Sequence, residues 1–328
     1  MSARHLVTGA AGLIGFELTR QLLDMGDEVF VVDDGRKGGL DDLDLLASEH
    51  PGRLHVVHGD LARGIPLEIA GTTFDSIAHL AAIVGVQIVT DEPYRTIEAN
   101  LRSTLAVLDF AIAHSPRTVL FASSSENYAF GVQRGWLAIP TGEDVPLGIE
   151  DPKLPRWSYA ASKIAGESAL FSAARLAKFT PIVARIHNVY GPRMGPTHVV
   201  PEMLARCHAR VDPFPVAGAD QTRAFLYAED AARALILLIG AGTRGESGVW
   251  NVGSSVETRI DELARLCLCI SEHDAALEAR PAPPGSVARR VPDVRKLAKL
   301  GFAPRVSLED GVRACWQASL GEAPLPPR

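Results

Sequence analysis

Short apolar runs rich in valine, isoleucine and leucine alternate with longer amphipathic stretches from the first residues through Ile186. The runs Arg4–Thr8, Glu28–Asp33, Leu54–His58, Ser76–Leu80, Arg117–Ala122 and Pro181–Ile186 have the length and β-branched content of strands. Between the first two, Ile14, Leu18 and Leu22 recur at four-residue spacing, the apolar stripe of a helix that packs on a sheet. Repeated strand–helix alternation predicts a parallel sheet covered on both faces, a doubly wound Rossmann-like α/β fold.

The regularity ends after Tyr190. Gly191-Pro192, Gly195-Pro196, Pro201, Pro213 and Pro215 interrupt it, which predicts a second, smaller mixed α/β lobe. Ala228–Gly240 and Val249–Val252 read again as helix and strand, so the chain is expected to return to the sheet. The expected division is residues 1–186 with a return segment at about 225–255, and a second domain of 187–224 and 256–328. The irregular stretch 130–157 is expected to be a functional flap. Three prolines within Ala323–Arg328 predict a frayed end.

Composition narrows the function. At 47% hydrophobic and 22% charged residues the chain has globular rather than disordered character. A net charge of −6 supplies no basic footprint, so nucleic acid is not an expected partner. The first apolar run, His5–Thr8, is too short for a signal peptide, and Ala231–Ala241, interrupted by Arg233, reads as a buried helix. No membrane partner and a cytoplasmic location are the expectations. Cys207, Cys267, Cys269 and Cys315 lack metal-ligand spacing and read as packing thiols of a reducing compartment.

Candidate chemistry begins directly after the first strand, where Gly9, Gly12 and Gly15 recur at three-residue spacing with Leu13 and Ile14 between the last two. Glycines there let backbone N–H groups and a helix N-terminus approach a pyrophosphate. Taken alone, the motif is equally an ordinary glycine-rich turn. Asp33 ends the second strand about 20 residues later, where a carboxylate accepts ribose hydroxyls and repels a 2′-phosphate, favouring NAD over NADP.

Tyr159 and Lys163 are four residues apart, which places phenol and ammonium on one helix face. Lowering a tyrosine from its ordinary value near pKa 10 to neutrality needs about 4 kcal/mol of preferential phenolate stabilisation, which a nearby ammonium and a cofactor cation can supply. Ser123-Ser124-Ser125-Glu126 stands at the carboxyl end of the fifth strand, where ligands bind in such sheets.

With these elements in order, the chain resembles the extended short-chain dehydrogenase/reductases, and among them the nucleotide-sugar epimerases, dehydratases and decarboxylases. Further segments carry the resemblance: Asp60-Leu61, Leu80-Ala81-Ala82, Asn188-Val189-Tyr190-Gly191-Pro192 and Gln221-Thr222-Arg223-Ala224-Phe225. It implies that Tyr159 takes the proton of a sugar hydroxyl, Lys163 holds the nicotinamide ribose and Ser124 hydrogen-bonds the reacting oxygen. Asp60 and Leu61 then flank the adenine, and Leu80, Ala81, Ala82, Ile186 and His187 line the cofactor channel. Ser125, Asn188, His198, Val199, Arg223 and Arg290 fall to the nucleotide-sugar substrate, the arginines because their forks match phosphate oxygens. No metal is implied.

The resemblance puts epimerisation at C4, through a transient keto-sugar, first among the reactions. Glu126, two residues beyond Ser124, keeps 4,6-dehydration and uronate decarboxylation open, and a net dehydrogenase or reductase remains a rival. An NAD sensor without chemistry is opposed by the retention of both Tyr159 and Lys163. Asn127, Ala129 and His187 depart from the usual valine, glycine and aromatic or small residue, as an unusual sugar such as a heptose or a uronic acid would require. Relatives of this kind dimerise through helices matching about Tyr94–His114 and Ser158–Lys178, which implies a homodimer. Leu101, Leu105 and Leu108 fit either that interface or a core stripe.

Overall fold

The computed structural model describes residues 2–282 and 286–321. β1 (Arg4–Thr8), β2 (Glu28–Asp33), β3 (Leu54–His58), β4 (Ser76–His79), β5 (Thr118–Ser124) and β6 (Thr180–Ile186) form the central sheet with the later strand Gly248–Val252. The spatial order is Gly248–Val252, β6, β5, β4, β1, β2, β3, and every pairing is parallel. Residues of β5 are buried along its whole length, as a strand covered on both faces must be. The order reverses between β1 and β4, and the crevice beyond their carboxyl ends is where this architecture binds ligands.

One face is packed by the helices Leu13–Asp24 and Ala228–Thr243, through Leu18, Leu22, Leu235 and Leu238. Pro93–His114 and Trp157–Ala173 cover the other with Val107, Ala111, Leu170 and Ala173. The helix Ala228–Thr243 and the strand Gly248–Val252 thus return the chain to the sheet after it has left it. A second cluster joins the helices Val199–His208, Ile260–Ile270 and Leu308–Ser319 through Met203, Leu263, Cys267 and Val312. Beside it the strand Thr222–Ala224 lies between Glu257–Arg259 and Arg289–Arg290.

Three details differ from expectation. β5 continues through Ser124 because Ala122, Ser123 and Ser124 keep pairing with Ala184, Arg185 and Ile186. The helix that carries Tyr159 stops at Ala173 rather than Lys178, where the N–H groups of Arg175 and Leu176 turn back to the carbonyls of Ser172 and Ala173. Cys269 is exposed while Cys207, Cys267 and Cys315 are buried, so only those three pack; Cys269 falls off the apolar stripe of its helix. In the stretch 130–157, Thr141 is bound through its N–H to the carbonyl of Val291, which ties that stretch to the second lobe. The expected frayed end Ala323–Arg328 lies outside the described residues. Among those residues no helix is long and apolar enough to cross a membrane.

Candidate active site

The glycine loop is built by close approach. Gly9 has φ +75°, and a Cβ there would lie 2.7 Å from the amide nitrogen of Ala81; one on Gly15 would strike the carbonyl of Gly9. The helix Leu13–Asp24 starts at Gly12 with no side-chain cap and no acid in its first turn, so its N–H groups remain free for an anion. Asp33, buried at the end of β2, accepts the N–H of Ala11 at 2.9 Å and that of Gly35 at 2.8 Å. Burial raises its carboxyl group, and these two hydrogen bonds oppose the rise.

Across the crevice, Leu80 donates its N–H to the carbonyl of Thr8, and Ala81 donates its own to the Thr8 hydroxyl. This leaves Ala81 directly over Gly9. Asp60 accepts the N–H of Ala62 and pairs with Arg36, with Leu61 buried beside it. The cradle therefore has the space and the donors that a dinucleotide requires: backbone where side chains would intrude, an uncapped helix start and a carboxylate at the end of β2.

Tyr159 and Lys163 come from the helix Trp157–Ala173, which lies against β5. Lys163 is buried and donates from Nζ to the carbonyl of Ala122 at 2.7 Å, 5.7 Å from the Tyr159 ring centroid. Burial pulls its ammonium down to about 7, with Glu167 acting in the opposite direction. Burial pushes the Tyr159 hydroxyl above its ordinary value, and a hydrogen bond with Ser124 works against that rise. Ser124 also accepts the N–H of Glu126 at 3.2 Å, which starts the short helical turn Ser125–Tyr128. Helix and strand thus bring Ser124, Tyr159 and Lys163 together as the sequence implied.

Glu126 meets a partner that the sequence reading did not foresee. Arg290 donates from Nη1 to Glu126 Oε1 at 2.6 Å, and Arg156 Nη2 lies 3.9 Å from Oε2. Sheet geometry explains the first contact: Arg290 pairs in register with Arg223, so both point the same way, whereas Arg289 turns outward to Glu257. Burial by itself would raise the Glu126 carboxyl, but Arg290, Arg156 and Arg223 outweigh it and hold the group below the ordinary carboxylate range. Burial and Arg290 lower Arg223 to about 10, against the pull of Glu126. Arg290 and Arg156 thus lie against one carboxylate, and Arg223 acts on it electrostatically.

Beneath this cluster lies a buried network. Arg185 donates to both carboxylate oxygens of Glu167, to the Tyr128 hydroxyl and to the carbonyl of Glu143. Glu167 further accepts from Ser123 and Asn127, which accounts for the unusual Asn127. His187 is buried, its ring 5.8 Å from that of Tyr128, with Nε2 3.1 Å from Asn251 Oδ1. Asn188 has φ +39° and donates to the carbonyl of Ala224. His198 precedes the helix Val199–His208 without capping it through its side chain, and its Nδ1 lies 3.1 Å from the Gly195 carbonyl.

Sequence reasoning passed over Arg156, Arg185, Glu167 and Asn251. Arg156 precedes Tyr159 by three residues, a spacing that signals a shared helical face. Glu167 stands one turn beyond Lys163, and Asn251 is the polar residue of a strand that is otherwise apolar near its end. Among the described residues no cluster suits a metal ion.

Comparison with known proteins gives consistent results. Residues 5–253 match the NAD dependent epimerase/dehydratase family. The chain is 30% identical over 323 residues to UDP-N-acetyl-alpha-D-glucosaminuronate decarboxylase of Bacillus cytotoxicus, covering 95% of this chain and 96% of that protein. UDP-N-acetylglucosamine 4-epimerase of Methanobrevibacter ruminantium, solved with UDP-N-acetylmuramic acid, superposes with a TM-score of 0.85 at 25% identity, covering 98% and 99%. The UDP-glucose 4-epimerase of Thermus thermophilus, solved with NAD, gives 0.77 at 26% identity, covering 97% and 99%.

Proposed function

The chain belongs to the NAD-dependent epimerase/dehydratase family, and from that premise we propose that it oxidises C4 of a uridine-diphosphate-linked uronic acid and releases carbon dioxide from the keto-sugar. The observation that carries this choice of substrate is the concentration of cationic groups at Glu126, with Arg290 at 2.6 Å, Arg156 at 3.9 Å and Arg223 acting on it electrostatically, a setting that favours an anionic substituent on the sugar. C4 epimerisation of the same keto-sugar, the reaction put first from the sequence, is the second reading. The supporting observation is that Ser124, Tyr159 and Lys163 suffice for it, with Glu126 already engaged by Arg290.

The residues divide the work as follows. Gly9, Gly12 and Gly15, with Leu13 and Ile14 between the last two, hold the pyrophosphate of NAD, Asp33 its adenosine ribose, and Lys163 the nicotinamide ribose. When bound, NAD accepts the C4 hydride and later returns it, and its positive ring favours the phenolate form of Tyr159. Tyr159 takes the proton of the C4 hydroxyl, and Ser124 hydrogen-bonds the same oxygen.

Oxidation turns a uronate into a β-keto acid. The C5–C6 bond breaks, carbon dioxide leaves, and the electron pair moves into the C4 carbonyl as an enolate that Tyr159 and Ser124 hydrogen-bond. C5 then takes a proton from water. Arg290, Arg156 and Arg223 hold the carboxylate before it leaves, while Glu126 fixes Arg290 in place. Glu126 is held ionised, so it serves here as an orienting anion rather than as an acid.

Residues 1–186 with the return segment 225–255 are assigned to the cofactor, and 187–224 with 256–328 to the nucleotide sugar. A homodimer through Pro93–His114 and Trp157–Ala173 accompanies this reading, supported by Leu105 standing half exposed on the outer helix; light scattering of Leu105→Glu tests it by loss of the dimer. A cytoplasmic location fits the supply of NAD and UDP-sugars.

The deciding experiment is mass spectrometry of the protein with NAD and a panel of UDP-sugars and UDP-uronic acids. Loss of the mass of carbon dioxide from a uronate supports decarboxylation, and an isomer of unchanged mass supports epimerisation. Tyr159→Phe is expected to lower either rate by at least about a hundredfold. Binding of NAD with no conversion of any sugar nucleotide would overturn both readings.

A further inference from the structure

A cavity of about 10 Å³ is bordered by Tyr128, His187 and Arg290 together with the apolar Ala129, Val132 and Val291. Its polar lining is unusual in one respect. The Nδ1 of His187 and the Nε of Arg290 are buried and have no hydrogen-bond partner among the described residues.

The chemical state of that nitrogen follows from its neighbours. Asn251 donates from Nδ2 to the carbonyls of Thr141 and Asp293. Both are acceptors, so the amide cannot be reversed, and Oδ1 must receive the hydroxyl of Tyr128 and the Nε2–H of His187. The proton of the neutral imidazole therefore sits on Nε2, and Nδ1 carries a lone pair. Burial, reinforced by Arg290 and Arg185 against the hydrogen bond to Asn251, pulls the imidazole down to about 3, so this state persists across the working range of pH.

A lone pair enclosed in this way repels an anionic oxygen and accepts an O–H. Arg290, which lines the same cavity, offers the opposite preference. From this pairing we propose that His187, oriented by Asn251, recognises a neutral hydroxyl of the sugar beside the anionic group that Arg290 receives, and so sets substrate specificity. The volume admits one group of hydroxyl size and no larger substituent. This inference rests on the nucleotide-sugar reading above.

The test compares UDP-glucuronic acid with its 2-deoxy and 3-deoxy analogues, first on the unaltered protein and then on His187→Phe. With the unaltered protein, removal of the recognised hydroxyl is expected to lower kcat/KM by about tenfold or more, because the imidazole acceptor is left buried and unpaired. In His187→Phe the preference for that hydroxyl is expected to fall to near unity, chiefly through a higher KM for the parent sugar.

Two failures are distinct. No binding or turnover of UDP-glucuronic acid by the unaltered protein overturns the substrate reading and this inference with it. Turnover of the parent with equal efficiency toward both deoxy analogues leaves the substrate reading intact, assigns the cavity to solvent and overturns the role of His187. That second arm needs no variant, so it stands even where His187→Phe does not fold.

Discussion

Arg290 and Glu126 are 164 residues apart in the chain and meet at 2.6 Å. Glu126 starts the turn after β5, and Arg290 lies on the short strand against Thr222–Ala224. If the pair acts as one device, its two halves cannot be worth independent amounts. Glu126→Gln and Arg290→Met are each expected to reduce carbon dioxide release by about a hundredfold, and the double variant to be little worse than either. Steady-state kinetics of the three variants checks this; losses that multiply would mean separate roles.

Asp33, which the proposed reading gives to the adenosine ribose, is tied to the glycine loop, since its carboxylate accepts the N–H groups of Ala11 and Gly35. Asp33→Asn keeps the shape but removes the charge. Affinity for NAD is expected to fall by about tenfold, as for loss of a hydrogen bond to a charged group, while discrimination against NADP relaxes. Calorimetric titration with both dinucleotides measures it, and an unchanged ratio of affinities would remove Asp33 from cofactor choice.

Much of this was legible in the chain because local chemistry and fold agree there. Strand periodicity, the glycine spacing and the Tyr159–Lys163 spacing are short-range signals, and the helix and sheet carry them to the expected places. The contacts of Glu126 were not legible, because they depend on which face of the strand Arg289–Arg290 turns inward, and strand register is set by tertiary pairing. The same holds for Arg185: it reads as one polar residue in an apolar run until β6 and the helix Trp157–Ala173 bring it to Glu167. His187 was noticed as unusual, but its tautomer depends on Asn251, 64 residues away.

The Arg185–Glu167 pair gives a stability prediction. Both side chains are nearly inaccessible, at 5% and 7%, so removal of one charge leaves the other desolvated. Glu167→Gln is expected to cost about 3–5 kcal/mol in urea unfolding, whereas Arg185→Met combined with Glu167→Leu recovers much of that loss. The double variant should still lose activity, because Arg185 also holds the carbonyl of Glu143 and the hydroxyl of Tyr128. Equal stability of the single and double variants would show that desolvation is not the dominant cost.

Two of the buried histidines, His79 and His187, make stability depend on acid in a predictable direction. His79 is held between the hydroxyls of Thr8 and Thr104, and burial, aided by Lys163, lowers it to about 3. His187 is lowered to about 3 chiefly by burial. Both start from 6.5 when unperturbed, so below that value the unfolded chain binds protons that the folded chain refuses. Their stabilisation is complete above pH 6.5 and is lost as the pH falls toward 3, at up to about 1.4 kcal/mol per pH unit for each histidine. Urea midpoints measured between roughly pH 6 and 4 should therefore fall more steeply for the unaltered protein than for His79→Gln or His187→Phe. Each variant is less stable at neutral pH through its lost hydrogen bonds, yet its acid slope is shallower by about one proton. Parallel slopes in all three proteins would mean that these imidazoles take up protons in the folded state, and the lone pair assigned to His187 would no longer hold.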